Sequence, residues 1–332
     1  MDSLIKQISE TNAVSGCEDK IREIILENIQ ADEITTDSMG NIIAHKNGSG
    51  RRLVVTAHMD EAGFIVSSIT DKGYIKFRPV GDIDINTVIS KRVVVGEDVK
   101  GIIGMKAIHL QTREERQNTV PAKNLFIDIG AKSKKSAQKR VKIGDYITFD
   151  TEFFETDGKI CGKALSRMGV YAVMKAMDAV TDADVYYVFT AQKEVGMRGA
   201  EIISERLAAD AVITVGTAVA DDTFGCGDEK SISLGAGAVI GVTDAHAIYD
   251  KSLTEKIISA AEESGIPYVK AAVHGFSDGG AMITNAGGAA CANISIPCRY
   301  AKTPSEMMAK SDIEAAARLL KELLGRWNQW NY

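Results

Sequence analysis

A buried strand that ends in a histidine and an aspartate is the first place where this chain could carry out chemistry. Leu53–Ala57 is a continuous apolar run, and His58 and Asp60 follow it directly. Ligands of open α/β sheets bind outside the carboxyl ends of the strands, where this histidine would lie. The Asp60 carboxylate could accept the second ring N–H of His58 and fix the tautomer. A His-x-Asp pair alone is also compatible with a packed histidine that binds no metal.

Lysine and serine side chains offer two alternative kinds of chemistry. Lys193 is the candidate for Schiff-base formation, which requires a lysine whose pKa is lowered by its surroundings. Ser166 and Lys163 are close in sequence, so a Ser-Lys nucleophile pair is the second alternative. No oxyanion motif accompanies that pair, and its spacing indicates an irregular loop.

The composition indicates an ordinary globular protein and excludes several classes of function. The chain has 332 residues, 45% hydrophobic and 25% charged, which leaves room for two domains. A net charge of -6 argues against nucleic acid and anionic membranes as partners. The first ten residues do not resemble a signal peptide, and the five cysteines form no C-x-x-C pair. We therefore expect a cytoplasmic protein without a cysteine-zinc site.

The elements that must position these side chains change in character along the chain. Residues 1–69 and 155–332 alternate apolar strands with amphipathic helices, which predicts a sheet covered on both faces. Residues 70–154 contain short β-branched segments separated by Gly and Asp, which predicts a small β-barrel or sandwich. Within it, 111–123 is predicted to be a surface loop and 131–140 a short helix. The β segment is thus an insertion in one discontinuous α/β domain.

A series of motifs in a fixed order carries a family resemblance. The motifs are AHMDEAGFIV, FRPVGD, GMKAIHL, FIDIGA, VKIGDYITFD, GKALSRMGV, TAQKEVGMRGA, LGAGAVI, FSDGGAM and ISIPCRYAKTPSE. From Ile5 to Leu324 the chain resembles the tetrahedral aminopeptidases, also called deblocking or glutamyl aminopeptidases, some of which were mislabelled as endoglucanases. The resemblance implies a phosphopeptidase-like α/β/α sandwich with a mixed sheet and an inserted β-barrel dimerisation domain. It also implies assembly from dimers up to dodecamers.

The resemblance further implies a site with two zinc or cobalt ions per subunit. Two such ions lower the pKa of a bound water and clamp the tetrahedral intermediate, while a carboxylate removes the proton. His58 matches the first ligand, Asp60 its orienting carboxylate and Glu194 a second ligand. Ser277 and Asp278 match a glycine-rich segment near the substrate, for which a tight turn is an equally good interpretation.

Four positions depart from the family pattern. The family's general base is the first acid of a Glu-Glu pair, and Lys193 stands there. The bridging Asp of the family's ALDDRxG segment falls nearest Ser166, in a segment that is one residue shorter here. Gly216 replaces a ligand Asp, and Lys302 replaces a ligand His. Two retained protein ligands are too few, since catalytic zinc normally has three. We therefore expect no bound metal as cofactor.

The substitutions suggest an exchange of metal ions for ammonium groups. We predict that Lys193 and Lys302 occupy the vacated cation positions and pair with Glu194 and Asp60, which would leave no buried charge alone. The alternative is that both lysines are exposed and have no such role.

The sequence thus predicts an aminopeptidase homologue that has lost its metal site. Such a protein could be a non-catalytic subunit that co-assembles with an active paralogue, or a binder of peptides or amino acids. The alternative is an active metal-dependent aminopeptidase that releases N-terminal residues from peptides.

Overall fold

The computed structural model describes residues 3–226, 231–284 and 288–330. The helices are α1 (Ser3–Glu10), α2 (Asp19–Asn28), α3 (Arg113–Gln117), α4 (Lys134–Ala137), α5 (Met168–Ala176), α6 (Arg198–Arg206), α7 (Lys251–Glu263), α8 (Gly279–Met282) and α9 (Lys310–Arg326). Strands β1–β9 are Glu33–Thr36, Ile42–Lys46, Ser49–His58, Gly63–Ile69, Ile75–Val80, Arg92–Val95, Val99–Gly104, Phe126–Asp128 and Tyr146–Phe149. Strands β10–β17 are Phe154–Thr156, Lys159–Gly162, Ala183–Thr190, Ala211–Val219, Ala238–Thr243, Tyr268–Ala272, Ala290–Cys298 and Glu306–Ala309.

A mixed sheet in the order β1-β2-β12-β3-β13-β16-β14-β15 forms the main body. Its four central strands, β12, β3, β13 and β16, run parallel to one another. Their carboxyl ends therefore meet at one edge, which is where side chains at strand ends can converge.

Helices cover both faces of this sheet. Along β3, Leu53 and Val55 pack into a core cluster with side chains of α5 and α9, whereas Val54 packs on the opposite face with side chains of α6 and α8. Successive residues of a strand point to opposite faces, so the continuous apolar run of β3 reflects burial on both sides. The predicted α/β/α sandwich is confirmed.

Strands β4, β5, β8, β7, β6 and β9 close into a barrel with its own apolar core. This confirms the predicted barrel and adds β4 (Gly63–Ile69), which the sequence analysis places before the insertion at residue 70. The apolar run of β4 follows the sheet strand β3 so closely that periodicity alone could not separate them.

Two local features differ from the sequence prediction. The predicted surface loop at 111–123 contains α3, whose first turn is closed by a capping box between Thr112 and Glu115. Strands β10, β11 and β17 form a separate three-stranded sheet that the sequence did not indicate. In the described part of the chain, no helix has the length and apolar character needed to cross a membrane.

Candidate functional site

A cleft of about 1060 Å³, measured with its open mouth, lies at the carboxyl edge of the central parallel strands. The positions that line it include the sequence-predicted residues His58, Ser166, Lys193, Glu194, Gly216, Ser277, Asp278 and Lys302. The inserted barrel contributes Asp82, Ile83 and Phe149 to the same cleft. The fold therefore collects these residues from eight separate segments into one site.

Asp60 lies behind the cleft and supports His58. His58 Nδ1 is 3.1 Å from the Asp60 carbonyl oxygen and 3.4 Å from Asp60 Oδ1. Because both neighbours of Nδ1 are acceptors, we assign a ring proton to Nδ1. The predicted orienting role of Asp60 thus involves its backbone carbonyl as much as its carboxylate.

The Asp60 carboxylate is held as an anion although it is fully buried. Burial raises its pKa, but hydrogen bonding and charge from His58, the Ser15 hydroxyl and the Glu194 amide outweigh that effect and lower the pKa to about 2. Ser15 Oγ donates to Asp60 Oδ2 at 2.5 Å, and the Glu194 amide donates to the same oxygen at 2.9 Å. Asp60 consequently ties β3 to the turn that carries Lys193 and Glu194.

Lys193 lies inside the cleft and pairs with the residue next to it in the chain. Its Nζ donates to Glu194 Oε1 at 2.7 Å and lies 4.2 Å from the centroid of the Phe276 ring. Burial lowers the pKa of Lys193, but the charges of Glu194, Asp60 and Asp278 outweigh it and leave the pKa raised. The predicted pairing of Lys193 with Glu194 is confirmed. The Schiff-base alternative loses its basis, because a lysine held as ammonium cannot form a Schiff base.

The predicted pairing of Lys302 is wrong. Lys302 Nζ pairs with Asp82 of the barrel, and not with Asp60 or Glu194. Lys302 lies between β16 and β17 in the left-handed backbone region, with φ 65°. Its side chain lines the cleft but extends to the barrel, because Asp82 offers a carboxylate there.

Gly216 and Ser166 line the cleft without a carboxylate. A Cβ built on Gly216 would meet no atom within 4 Å, so this position has open space for a side chain. Ser166 lies in a short 3-10 turn, Leu165–Arg167, that leads into α5. Ala164, just before it, has φ 51°, a left-handed conformation that costs energy for a residue with a Cβ.

The proposed Ser-Lys pair finds no support in the geometry. Lys163 Nζ donates to Asn12 Oδ1 at 2.6 Å and lies 3.4 Å from Glu61 Oε1. Burial lowers the pKa of Lys163, while the Glu61 charge opposes that effect. Arg167 is fully buried beside this pair and donates to the carbonyl of Ser9 at 3.0 Å. Lys163 therefore belongs to a buried ion cluster.

Ser277 and Asp278 both lie at the cleft, but they differ in their partners. Ser277 Oγ is 2.7 Å from Tyr249 Oη, and its amide donates to Asp244 Oδ2 at 2.9 Å. Asp278 is 5% exposed, and its Oδ2 accepts a hydrogen bond from Thr190 Oγ1 at 2.7 Å. Oδ1 of Asp278 has no hydrogen-bond partner. Ser277 thus belongs to a satisfied polar network, whereas Asp278 keeps one buried acceptor free.

Several residues of the site were missed by sequence reasoning. Phe276 forms the aromatic wall, and its position within the FSDGGAM motif was an available signal. Asp82 ends the FRPVGD motif, but nothing in that motif indicates that this barrel residue lies at the cleft. Glu306 lines the cleft, where burial, reinforced by the charges of Glu194 and Glu61, raises its pKa to about 7.

Across residues 3–226, 231–284 and 288–330, no three His, Cys, Asp or Glu side chains are grouped so that they could hold a metal ion.

This architecture, an α/β/α sandwich with an inserted barrel and a cleft between them, is that of an aminopeptidase fold. Residues 40–319 match the family model for M42 glutamyl aminopeptidases. A putative aminopeptidase of Acetivibrio thermocellus is 36% identical over 333 residues, covering 98% of each chain. This chain belongs to the M42 aminopeptidase family.

Solved structures agree with this assignment. The TET aminopeptidase of the marine sediment archaeon Thaumarchaeota archaeon SCGC AB-539-E09 superposes with a TM-score of 0.94 at 31% identity, covering 98% of this chain and 95% of that one. The TET1 peptidase of Pyrococcus horikoshii, which can assemble into a tetrahedron or a large octahedral shell, gives a TM-score of 0.88 at 30% identity. That match covers 97% of this chain and 98% of the other.

Proposed function

We propose that the cleft of this chain binds peptides or amino acids and does not hydrolyse them by a two-metal mechanism. The observation that carries the proposal is the Lys193 ammonium inside the cleft, 2.7 Å from Glu194 Oε1. The protein would act as a binder or as a non-catalytic subunit in an assembly.

The side chains around Lys193 do not fit two divalent ions. One carboxylate oxygen of Glu194 pairs with Lys193, and Ser166 and Gly216 supply no carboxylate. Lys302 carries a positive charge where the family resemblance expects a neutral histidine. Only two ligands remain, His58 and Glu194, whereas a catalytic zinc normally takes three from the protein.

Water activation would also lack its base. A general base must accept a proton at the pH of the reaction. The neighbouring acids Glu194, Asp60 and Asp278 raise the pKa of Lys193, so its amine stays protonated at neutral pH. We therefore assign Lys193 an electrostatic role in place of the family's general base.

The ligand class follows from the relatives. The A. thermocellus relative is named a putative aminopeptidase, and further relatives are named lysyl and glutamyl aminopeptidases. We carry over to this chain the recognition of peptide N-termini or amino acids, and with it self-association. Exposed apolar side chains outside the cleft, such as Ile108, Leu110 and Phe224, are available for contacts between copies.

The test combines metal analysis with hydrolysis assays. The purified chain is incubated with zinc or cobalt, desalted and analysed for bound metal, and aminoacyl chromogenic substrates are then offered. We expect less than one metal ion per ten chains and no metal-dependent turnover. Stoichiometric metal together with metal-restored turnover would establish the alternative, an active aminopeptidase.

A variant that restores the family's residues at four positions provides a positive control for the same test. The four changes Ser166→Asp, Lys193→Glu, Gly216→Asp and Lys302→His together should restore metal binding, because they complete the coordination shell. Gly216→Asp alone is the matched control: it adds a carboxylate in open space but leaves the Lys193–Glu194 pair intact, so it should bind no metal.

A further inference from the structure

The surroundings of the Lys193 ammonium are those of a bound cation. Glu194 Oε1 lies 2.7 Å from Nζ, and the ring of Phe276 lies below it with its centroid at 4.2 Å. An aromatic face within about 6 Å of an ammonium attracts it through the ring quadrupole, and more strongly where water is excluded. With Lys193 only 9% exposed, both contacts act in such an environment.

Asp278 adds an independent sign that this region is built for a cation. It is 5% exposed, lines the cleft, and leaves Oδ1 without a partner. A buried carboxylate oxygen without a donor is costly, unless a nearby positive charge compensates for it. Burial raises the pKa of Asp278, and the positive charges of His58 and Lys193 oppose that effect without reversing it.

The Lys193 ammonium compensates the acidic side chains around it in the inner cleft. The charge of Lys302 is paired with Asp82 of the barrel and does not act as the partner of these acids. Lys163, which also lines the cleft, faces Glu61, whereas Asp60, Glu194 and Asp278 face Lys193. Without that ammonium, three buried or nearly buried carboxylates would face one another.

We propose that Glu194, Phe276 and Asp278 form a binding site for a primary ammonium ion, which the chain fills with its own Lys193 side chain. This inference rests on the proposed function and specifies it: the cation of this site is monovalent and organic. The ring face suits an ammonium group and supplies no ligand atom for zinc.

Chemical rescue tests the site. Lys193→Ala removes three methylene groups and the ammonium, which are the atoms of n-propylammonium. Thermal unfolding is followed with n-propylammonium chloride, with n-propanol, with sodium chloride at equal ionic strength, and with zinc chloride. We expect only n-propylammonium to raise the Tm of this variant, by at least about 2 °C at ten times its dissociation constant. Titration calorimetry should give saturable binding that the unaltered chain lacks.

Three matched variants define the site. Lys193→Met gives a neutral side chain only one heavy atom shorter and fills most of the space, so n-propylammonium should leave its Tm unchanged. Lys193→Ala combined with Glu194→Gln should lose the rescue. Lys302→Ala removes a lysine from the mouth of the same cleft, where Asp82 is open to solvent, and should show no rescue.

Several outcomes overturn the proposal. Equal rescue by n-propanol would mean that only volume is being filled. Rescue by zinc but not by n-propylammonium would make the site a divalent one, and equal rescue of Lys302→Ala would make the effect non-specific. If Lys193→Ala does not fold unaided, the same additives are compared by refolding yield, and no gain with n-propylammonium counts against the site. Metal-dependent hydrolysis by the unaltered chain would defeat the proposed function alone, since the rescue is measured without substrate.

Discussion

Lys302 and Asp82 form an ion pair that joins the two walls of the cleft. Lys302 belongs to the loop between β16 and β17, and Asp82 to the barrel, 220 positions earlier in the chain. The pair bridges the cleft, whose inner wall carries Lys193 and Lys163.

This pair should contribute little to stability. The side chains of Lys302 and Asp82 are 39% and 66% exposed, and exposed ion pairs are typically worth about 0.2–1 kcal/mol. A double-mutant cycle with Lys302→Ala and Asp82→Ala, measured by urea unfolding, should give a coupling energy in that range that falls with added salt. A coupling above about 2 kcal/mol would show that the bridge is a structural element of the cleft.

The pair between Lys193 and Glu194 should behave differently. Lys193→Met leaves a buried carboxylate without its cation, which typically costs about 3–5 kcal/mol. Folding raises the pKa of Lys193. Its ammonium therefore contributes its full share of folding stability below the ordinary lysine pKa, and this stability is lost as pH rises through the pKa of the folded state. The stability difference between the unaltered chain and Lys193→Met should thus stay constant from pH 7 to about 10 and shrink above it. A difference that is small at pH 7 would contradict the ion pair.

The open space at Gly216 predicts that a small side chain is tolerated there. Gly216→Ala should be neutral or stabilise the fold by up to about 1 kcal/mol, since it restricts the unfolded chain and meets no atom within 4 Å. Gly169→Ala is the matched control, because its Cβ would lie 2.7 Å from the Val215 carbonyl oxygen. Thermal unfolding should therefore show a lower Tm for Gly169→Ala only. A comparable loss at Gly216 would mean that the cleft is closed at this point.

Asp60 should make stability depend on pH in acid. The pKa of this buried carboxyl is lowered to about 2, so its contribution is present above the ordinary value and lost as pH falls through about 2. The shift from 3.8 corresponds to about 2 kcal/mol. Asp60→Asn should be less stable than the unaltered chain by about that amount at pH 7, and the gap should narrow between about pH 4 and 2. Urea unfolding at several pH values measures this stability difference. A difference that does not depend on pH would refute the lowered pKa of Asp60.

The sequence predicted those parts of the site that depend on local order along the chain. His58 could be placed because an apolar strand ends there, and Lys193 could be paired with Glu194 because the two are adjacent. The alternation of strands and helices likewise predicted the covered sheet.

Contacts between distant segments could not be predicted in this way. Lys302 was expected in the interior, but a barrel carboxylate competes for it, and nothing near either residue in sequence indicates the other. The free oxygen of Asp278 is also a property of packing: Thr190 donates to one oxygen, and no donor lies within hydrogen-bond distance of the other. Contacts between side chains that are distant in sequence depend on the tertiary structure and cannot be read from local sequence.

The most direct test of the central claim is an anomalous difference map, recorded at the zinc edge from crystals grown with zinc. The account predicts no zinc peak near His58, and Lys193 Nζ in hydrogen-bond contact with Glu194. A peak within coordination distance of both His58 and Glu194, with Lys193 displaced, would contradict it.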